Sequence, residues 1–139
     1  IVEPGYVSFK YGEKHEAPVV CLRQSDADAR FHTLLYPHRD APPTISLREL
    51  QPARTAGGGD SARACALRVI VGVGEQLHTD YFVYSDDTRA TWRVANYVFR
   101  GSFLALREDA YGDIVALHAS DDAVVYEDGR LLHRGLLAS

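Results

Sequence analysis

The sequence predicts an all-β fold, an antiparallel β-sandwich of roughly 9–11 short strands. From about Val7 onward, short stretches of alternating apolar and polar residues are separated by turn residues, and this alternation is typical of half-buried strands. In the second half the stretches recur at spacings of about ten residues, which favours meanders packed into a sandwich or barrel. We find no amphipathic pattern long enough for a helix of three turns.

The first half of the chain contains an entry strand predicted within the first dozen residues, three further predicted strands and one long loop. The predicted strands cover residues 17–23, 30–36 and 44–50. Pro37 is expected to end the second of them, because proline lacks the ladder donor. Residues 51–61 contain Gly57-Gly58-Gly59 and are predicted as the longest loop, a flexible hairpin or inter-sheet connection. These glycines are not followed by Lys-Ser or Lys-Thr, so they do not form a phosphate-binding P-loop.

The second half is dense in strands. The predicted strands cover residues 64–73, 76–85, 91–100, 102–108, 113–119 and 123–126. The first of these is apolar along one face, which predicts a central position in a sheet. Asp128-Gly129 is a strong two-residue hairpin signal, because glycine tolerates the positive φ of a type I′ turn.

Length, composition and charge limit the classes of protein. The 139 residues fit a single domain over residues 1–139. The net charge of -4 argues against a nucleic-acid partner, since such proteins usually carry a basic stripe. No window has the length of apolar sequence that a membrane span requires. The chain starts at Ile1 and contains no methionine, so we expect the C-terminal fragment of a longer chain, with the N-terminal remainder as its partner.

The two cysteines do not define a metal or disulfide framework. Cys21 and Cys65 both lie in apolar stretches, where free cysteines usually act as small buried core residues. A Cys21–Cys65 bridge is the alternative if the parent protein is secreted.

His78-Thr79-Asp80 is the closest approach to a metal signature. Alternate residues of a strand point to the same face, so His78 and Asp80 can reach one Zn²⁺ together. A site requires a further ligand, for which the candidates are His32, His118 and His133. The alternative interpretation is a polar, outward face of a half-buried strand. We therefore predict no cofactor and no bound metal, with His78 and Asp80 as the candidates if one binds.

The densest cluster of polar and aromatic residues lies at residues 31–40. Tyr36, His38 and Arg39 are the candidate substrate-binding residues. An aromatic ring suits the apolar face of a sugar, and arginine or histidine suits its carboxylate or sulfate. The alternative is a strand end with an Arg39–Asp40 surface pair. No catalytic residue is predicted.

A series of aromatic residues occupies the central predicted strands. Trp92 shares a face with Val94 and Val98, which favours core packing, and a sugar-binding platform is the alternative. Tyr81 and Tyr84 have opposite parity on one strand, so at least one is expected to face outward.

Several short segments resemble the late β-sandwich of the heparinase II/III-like polysaccharide lyases. The segments are Tyr11-Gly12-Glu13-Lys14, residues 17–20, residues 31–37 (FHTLLYP), residues 80–85 (DYFVYS) and residues 101–106 (GSFLAL). Such bacterial lyases join an N-terminal α/α toroid to antiparallel sheets, and the toroid supplies much of the catalytic apparatus. The resemblance implies that the catalytic histidine segment of the sheets lies upstream of Ile1.

The leading hypothesis is therefore a non-catalytic C-terminal module of such a lyase. The whole enzyme would cleave uronic-acid polysaccharide by β-elimination, while this module braces the catalytic domain and lines the substrate cleft. That interpretation implies an acidic polysaccharide partner and a periplasmic or extracellular location. The alternatives are an independent carbohydrate-binding module and, third, a small metal-dependent cupin-like domain built around His78 and Asp80.

Overall fold

The computed structural model describes residues 1–21, 32–38 and 42–135. These residues form twelve strands in antiparallel pairs, so the prediction of an all-β antiparallel fold is confirmed. The strand count is slightly above the predicted range. Within the described part of the chain, no helix has the length and apolar character needed to cross a membrane. Contacts divide the chain into two compact units, Ile1–Pro37 and His38–Ser139. The assignment of residues 1–139 to a single domain stays a prediction.

The first unit is built on a hairpin of two six-residue strands. They are β1 (Val2–Val7) and β2 (His15–Val20). At the open end of the hairpin, the Cys21 amide donates a hydrogen bond of 2.8 Å to the Ile1 carbonyl. Near the turn, the Lys14 ammonium lies 3.8 Å from the centroid of the Tyr6 ring, a cation–π contact that ties the two strands together.

The second unit contains the remaining ten strands. They are β3 (Thr44–Leu50), β4 (Ala53–Ala56), β5 (Ala64–Val73), β6 (Gln76–Ser85), β7 (Thr91–Val94), β8 (Tyr97–Arg100), β9 (Phe103–Glu108), β10 (Ile114–Ala119), β11 (Val124–Glu127) and β12 (Arg130–Arg134). Five form sheet I, in the order β10–β9–β6–β5–β3, and five form sheet II, in the order β12–β11–β8–β7–β4. All neighbouring strands are antiparallel.

One hydrophobic core joins the two sheets, as in a β-sandwich. Its buried residues come from both sheets and their connections: Ala66, Tyr81, Val83, Ala90, Trp92, Val94, Tyr97, Phe99, Leu104, Leu106, Ala123 and Val125. The alternation of strand side chains produces this core, because every second residue of each strand faces the opposite sheet. Phe99 is fully buried, and removing such a ring typically costs about 3–5 kcal/mol.

Two polar contacts connect the sheets inside this core. At the end of β6, the Trp92 indole donates a hydrogen bond of 2.9 Å to the Ser85 hydroxyl. Near the start of β6, the Tyr97 hydroxyl donates a hydrogen bond of 2.5 Å to Glu108, and Glu108 pairs with Thr79 of β6. The two contacts therefore lie about 20 Å apart along the strand. Buried tyrosine and tryptophan need such partners, because an unpaired polar atom in a core is costly.

The predicted strands 44–50, 64–73 and 76–85 coincide with β3, β5 and β6, and the Asp128-Gly129 hairpin is confirmed. Three other predictions are wrong. The predicted strand 91–100 is two strands, because Ala95 adopts a φ of 51° and the chain turns back between β7 and β8. The predicted loop 51–61 contains β4. Residues 32–36 belong to no strand, and the start of that predicted strand lies outside the described residues.

The glycine loop that follows β4 connects sheet II to sheet I, which is the second of the two predicted alternatives, and it is packed against the protein. Gly58 has a φ of +75°, and an added Cβ would lie 2.6 Å from the Cβ of Ala90. The Gly59 amide donates a hydrogen bond of 2.9 Å to Asp87. Glycine is therefore required at position 58 both for the left-handed backbone and for the close approach to Ala90.

The edges of the sheets are mostly irregular. The register shifts along β4, β10 and the β11–β12 pair, whereas edge strand β3 pairs with β5 without interruption over seven residues. Extra residues in a ladder bend a strand and increase its twist. Of the four edges of sheets I and II, only the β3 edge is therefore regular.

Candidate functional site

Of the three residues predicted to bind sugar, the structure describes two. Tyr36 is half-buried and His38 is exposed, whereas Arg39 lies outside the described residues. The cavities described below are lined by other residues. The assignment of Tyr36, His38 and Arg39 to substrate binding stays a prediction.

His78 and Asp80 lie together on the face of sheet I that points away from the core. Asp80 is nearly buried, and the Arg107 guanidinium of β9 donates to both of its oxygens, at 2.6 Å from Nε and 2.8 Å from Nη2. His78 Nε2 lies 3.6 Å from Asp80 Oδ2. This nitrogen is buried and has no hydrogen-bond partner among the described residues.

This arrangement favours an ion pair over a metal centre. A carboxylate held by both nitrogens of an arginine is geometrically committed to that partner. Within residues 1–21, 32–38 and 42–135, no three His, Cys, Asp or Glu side chains are grouped so that they could hold a metal ion. Asp80 also lines an apolar groove of about 200 Å³ with Phe82, Ala105 and His118. The structure thus brings His78 and Asp80 together and supplies Arg107 as the partner.

Two tyrosines and a glutamate meet on the inner side of the sandwich. The Tyr81 and Tyr97 rings pack edge to face with centroids 5.5 Å apart. Burial raises the pKa of Tyr97 well above its ordinary value, and the hydrogen bond to Glu108 raises it further. Burial also raises the pKa of Tyr81, and the Glu108 charge adds to this rise. Both phenols therefore stay protonated near neutral pH, which is unsuited to proton abstraction.

The aromatic series follows the predicted division. Tyr81 and Trp92 are buried, at 8% and 5% exposure, and Tyr84 is 59% exposed. The prediction that at least one of Tyr81 and Tyr84 faces outward is therefore confirmed. Core packing is also confirmed for Trp92, whose indole donates a hydrogen bond to Ser85. The prediction that Val98 shares its face is wrong, because the chain turns back at Ala95 and Val98 lies on the outer face of sheet II.

The outer face of sheet II carries a cleft of about 320 Å³ that the sequence analysis did not find. Its lining is Thr91, Val98, Arg100, Asp122, Val124, Tyr126, Arg134 and Gly135, which we call the arginine cleft. Val124 pairs with Arg100 on one side and with Arg134 on the other. The two arginines are therefore separated by two strand spacings, about 10 Å between their Cα atoms.

The arginines flank an apolar floor. Val124 is 9% exposed, and Val98 and Tyr126, which pair with each other in the next row of the sheet, are half-buried. Arg100 and Arg134 are exposed. No ion pair holds either guanidinium within the described part of the chain. The cleft therefore offers two cationic groups beside one aromatic and two aliphatic side chains.

The rim of the cleft is a tight turn that carries Asp122. The Ala123 amide donates a hydrogen bond of 2.8 Å to the Ser120 carbonyl, and the Ser120 hydroxyl donates one of 2.9 Å to Asp122. The Gly135 amide donates one of 2.7 Å to the Ala123 carbonyl. A Cβ at Gly135 would collide with the Asp121 carbonyl, so glycine lets the chain after β12 close this rim.

Sequence reasoning missed this cleft because its parts are far apart along the chain. The signal was present as alternation: Val98 with Arg100 on β8, Val124 with Tyr126 on β11, and Arg134 at the end of β12. Alternate residues of a strand share a face, so each of these sets marks an outer face that combines apolar side chains with aromatic or charged ones. Placing these faces side by side requires the register of three strands.

Cys21 and Cys65 are both free and half-buried. The expectation that both cysteines are buried core residues is therefore wrong, since each is only partly buried. Cys65 pairs with Tyr84 on β6, and Tyr84 is exposed. It thus lies on the outer face of sheet I, because paired residues of antiparallel strands point to the same side.

The comparisons with known proteins leave the fold and the cleft as the evidence on function. No family model, no curated protein and no solved structure matches this chain. The likeness to heparinase II/III-like lyases thus stays a hypothesis from short segments.

Proposed function

We propose that this chain is a non-catalytic β-sandwich module that binds acidic polysaccharide, and that the arginine cleft is its binding site. One observation carries this proposal. Arg100 and Arg134 flank an apolar floor on a protein whose net charge is -4. A local pair of cations on an acidic protein favours a specific anionic ligand over general attraction to polyanions.

The side chains of the cleft match the chemistry of an acidic sugar. A guanidinium presents planar donors that fit a carboxylate, and its hydrogen bonds to ionised groups are the stronger kind. Val98, Val124 and Tyr126 offer an apolar surface for the C–H face of a sugar ring. A volume of about 320 Å³ is at the lower end of ligand pockets, which suits one or two rings of a longer chain.

The absence of catalysis is part of the proposal. β-elimination needs a base that is deprotonated at working pH, and the raised pKa values of Tyr81 and Tyr97 disfavour both tyrosines in that role. If the chain is part of a heparinase-like lyase, the cleft would hold substrate beside a catalytic domain. If the chain acts alone, it would be a carbohydrate-binding module. Binding of acidic polysaccharide is common to both interpretations.

Calorimetric titration with alginate oligosaccharides tests the binding. Contacts of exposed charges are individually weak, so we expect saturable binding with a Kd of about 0.1–1 mM. Arg100→Ala and Arg134→Ala should each weaken binding roughly fivefold, and the double variant should abolish measurable binding. Raising the salt concentration should weaken binding by the wild type.

Arg93→Ala is the matched control. Arg93 is exposed on the same face of sheet II, opposite Val98, but it does not line the cleft. Binding that falls equally in Arg93→Ala would show a diffuse charge effect and contradict the cleft as the site. Binding that is lost in Tyr36→Ala and retained in the Arg100 and Arg134 variants would move the site to the segment around Tyr36.

A lyase assay tests the non-catalytic part. Incubation with heparin, heparan sulfate or alginate should produce no unsaturated product, followed by its ultraviolet absorbance. Turnover by this chain alone would contradict that part of the proposal.

A further inference from the structure

Asp122 is the one acidic residue among the described residues that line the arginine cleft. Its Oδ1 accepts a hydrogen bond of 2.9 Å from the Ser120 hydroxyl, which fixes the carboxylate at the rim. Among the described residues it forms no ion pair with Arg100 or Arg134, although all three line the cleft. The cleft therefore presents two donors of charge-assisted hydrogen bonds together with one fixed, charged acceptor.

A fixed carboxylate affects anionic ligands in two opposite ways. It accepts hydrogen bonds from hydroxyl groups, and an ionised carboxylate is an acceptor only. It also repels any anionic group placed against it, because like charges in a binding site reduce affinity. Specificity usually needs such a repulsive element in addition to the attractive contacts.

The arrangement of the cleft fits a ligand with acidic groups and hydroxyls in alternation. Arg100 and Arg134 are about 10 Å apart at their Cα atoms, with the apolar side chain of Val124 between them. A polyuronate places carboxylates at intervals of a sugar ring, with hydroxyls and a C–H face between them. Inorganic polyphosphate has a higher charge density and offers neither hydroxyl donors nor an apolar face.

We propose that the arginine cleft selects polyuronate over more densely charged polyanions and that Asp122 imposes this selection. The carboxylate of Asp122 accepts hydrogen bonds from sugar hydroxyls while Arg100 and Arg134 bind the uronate carboxylates. The proposal rests on the proposed function, since it assigns the ligand class of the same site.

Comparison of the affinities for two probes, each titrated separately, tests the selection. An alginate hexasaccharide and an inorganic polyphosphate of similar length are titrated against the whole chain at one ionic strength. Wild type should bind the hexasaccharide more tightly. Asp122→Asn should weaken binding of the hexasaccharide and strengthen binding of polyphosphate. The Kd for polyphosphate divided by the Kd for the hexasaccharide should therefore fall roughly tenfold. Asp122→Ser repeats the test if the amide disturbs the turn.

Asp121→Asn is the matched control, because it removes the same charge from the preceding residue, which does not line the cleft. An unchanged ratio in this variant and a reduced ratio in Asp122→Asn support the proposal. Equal changes in both variants would show a general charge effect and overturn it, while the binding function stands. Tighter binding of polyphosphate by the wild type would also overturn it. A wild type that binds no hexasaccharide contradicts the proposed function itself.

Discussion

Tyr97→Phe removes one hydroxyl group and leaves the packing of the core in place. The Tyr97 ring is 1% exposed and packs edge to face against Tyr81, contacts that phenylalanine retains. The lost hydroxyl donates the 2.5 Å hydrogen bond to Glu108 Oε1, which connects sheet II to sheet I. The substitution therefore isolates one contact between the sheets.

The expected cost is about 2 kcal/mol of unfolding free energy, since hydrogen bonds to charged groups contribute about 1.5–3 kcal/mol. For a chain of this size, a loss of about 2 kcal/mol corresponds to a fall in Tm of about 8 °C. Glu108→Gln should cost less, because the amide oxygen still accepts from Tyr97. The double variant should show a coupling of about 1 kcal/mol between the two positions.

Urea unfolding measures these values through the fluorescence of Trp92, the single tryptophan, which is buried. Tyr84→Phe is the control, because its hydroxyl belongs to a ring that is 59% exposed, and it should change stability by less than about 0.5 kcal/mol. Equal losses in Tyr97→Phe and Tyr84→Phe, or additive effects of Tyr97 and Glu108, would refute the reasoning.

The same contact predicts an alkaline limit on stability. The pKa of Tyr97 is raised above its model-compound value of 10.0 in the folded state, first by burial and then by Glu108. The unfolded chain therefore ionises this group first as the pH rises. The stabilising contribution is complete below pH 10 and is lost above it, so wild type should lose more stability than Tyr97→Phe between pH 9 and 11.

Three further predictions concern other contacts. Hydrogen bonds from the Arg89 side chain, and after it from the Gly59 and Arg89 backbone amides, lower the pKa of Asp87 from 3.8 to about 2. The stabilising contribution of the Asp87 carboxylate is therefore present above pH 3.8 and is lost as the pH falls towards 2. The stability advantage of wild type over Asp87→Asn in urea melts should shrink over that interval. Arg107→Ala removes both guanidinium hydrogen bonds from the nearly buried carboxylate of Asp80 and should cost about 1.5–3 kcal/mol in chemical unfolding. No cost in the charge-preserving Arg107→Lys would contradict the importance of a bidentate geometry. Gly58→Ala introduces a Cβ 2.6 Å from a neighbouring side chain at a φ of +75° and should lower stability by about 1–3 kcal/mol, whereas Gly74→Ala, with open space around the added Cβ, isolates the strain of positive φ alone.

Much of the fold was predictable from local patterns. Strands β5 and β6 follow from long alternating stretches, and the hairpin of β11 and β12 follows from the Asp128-Gly129 turn. The split between β7 and β8 was not predictable in this way, because it depends on Ala95 adopting a positive φ, which alanine rarely does. Strand β4 was missed because its four residues lie beside three glycines, and short edge strands carry little alternation.

The sites were less accessible to sequence reasoning than the fold. His78 and Asp80 were found as neighbours on one face, but their partner Arg107 lies on β9, and only the strand register shows that it faces Asp80. The arginine cleft depends in the same way on the pairing of Val124 with both Arg100 and Arg134. Alternation gives the face of each side chain, whereas the identity of its lateral neighbours follows from long-range pairing.

The interrupted ladders of β4, β10 and β12 bear on colloidal behaviour at high concentration. A kinked rim offers few aligned amides to a passing chain, so these three borders resist unplanned strand addition. Within sheets I and II, the seven unbroken residues of β3 form the edge where self-association through main-chain pairing would start, and where a proline or an additional lysine would improve solubility most.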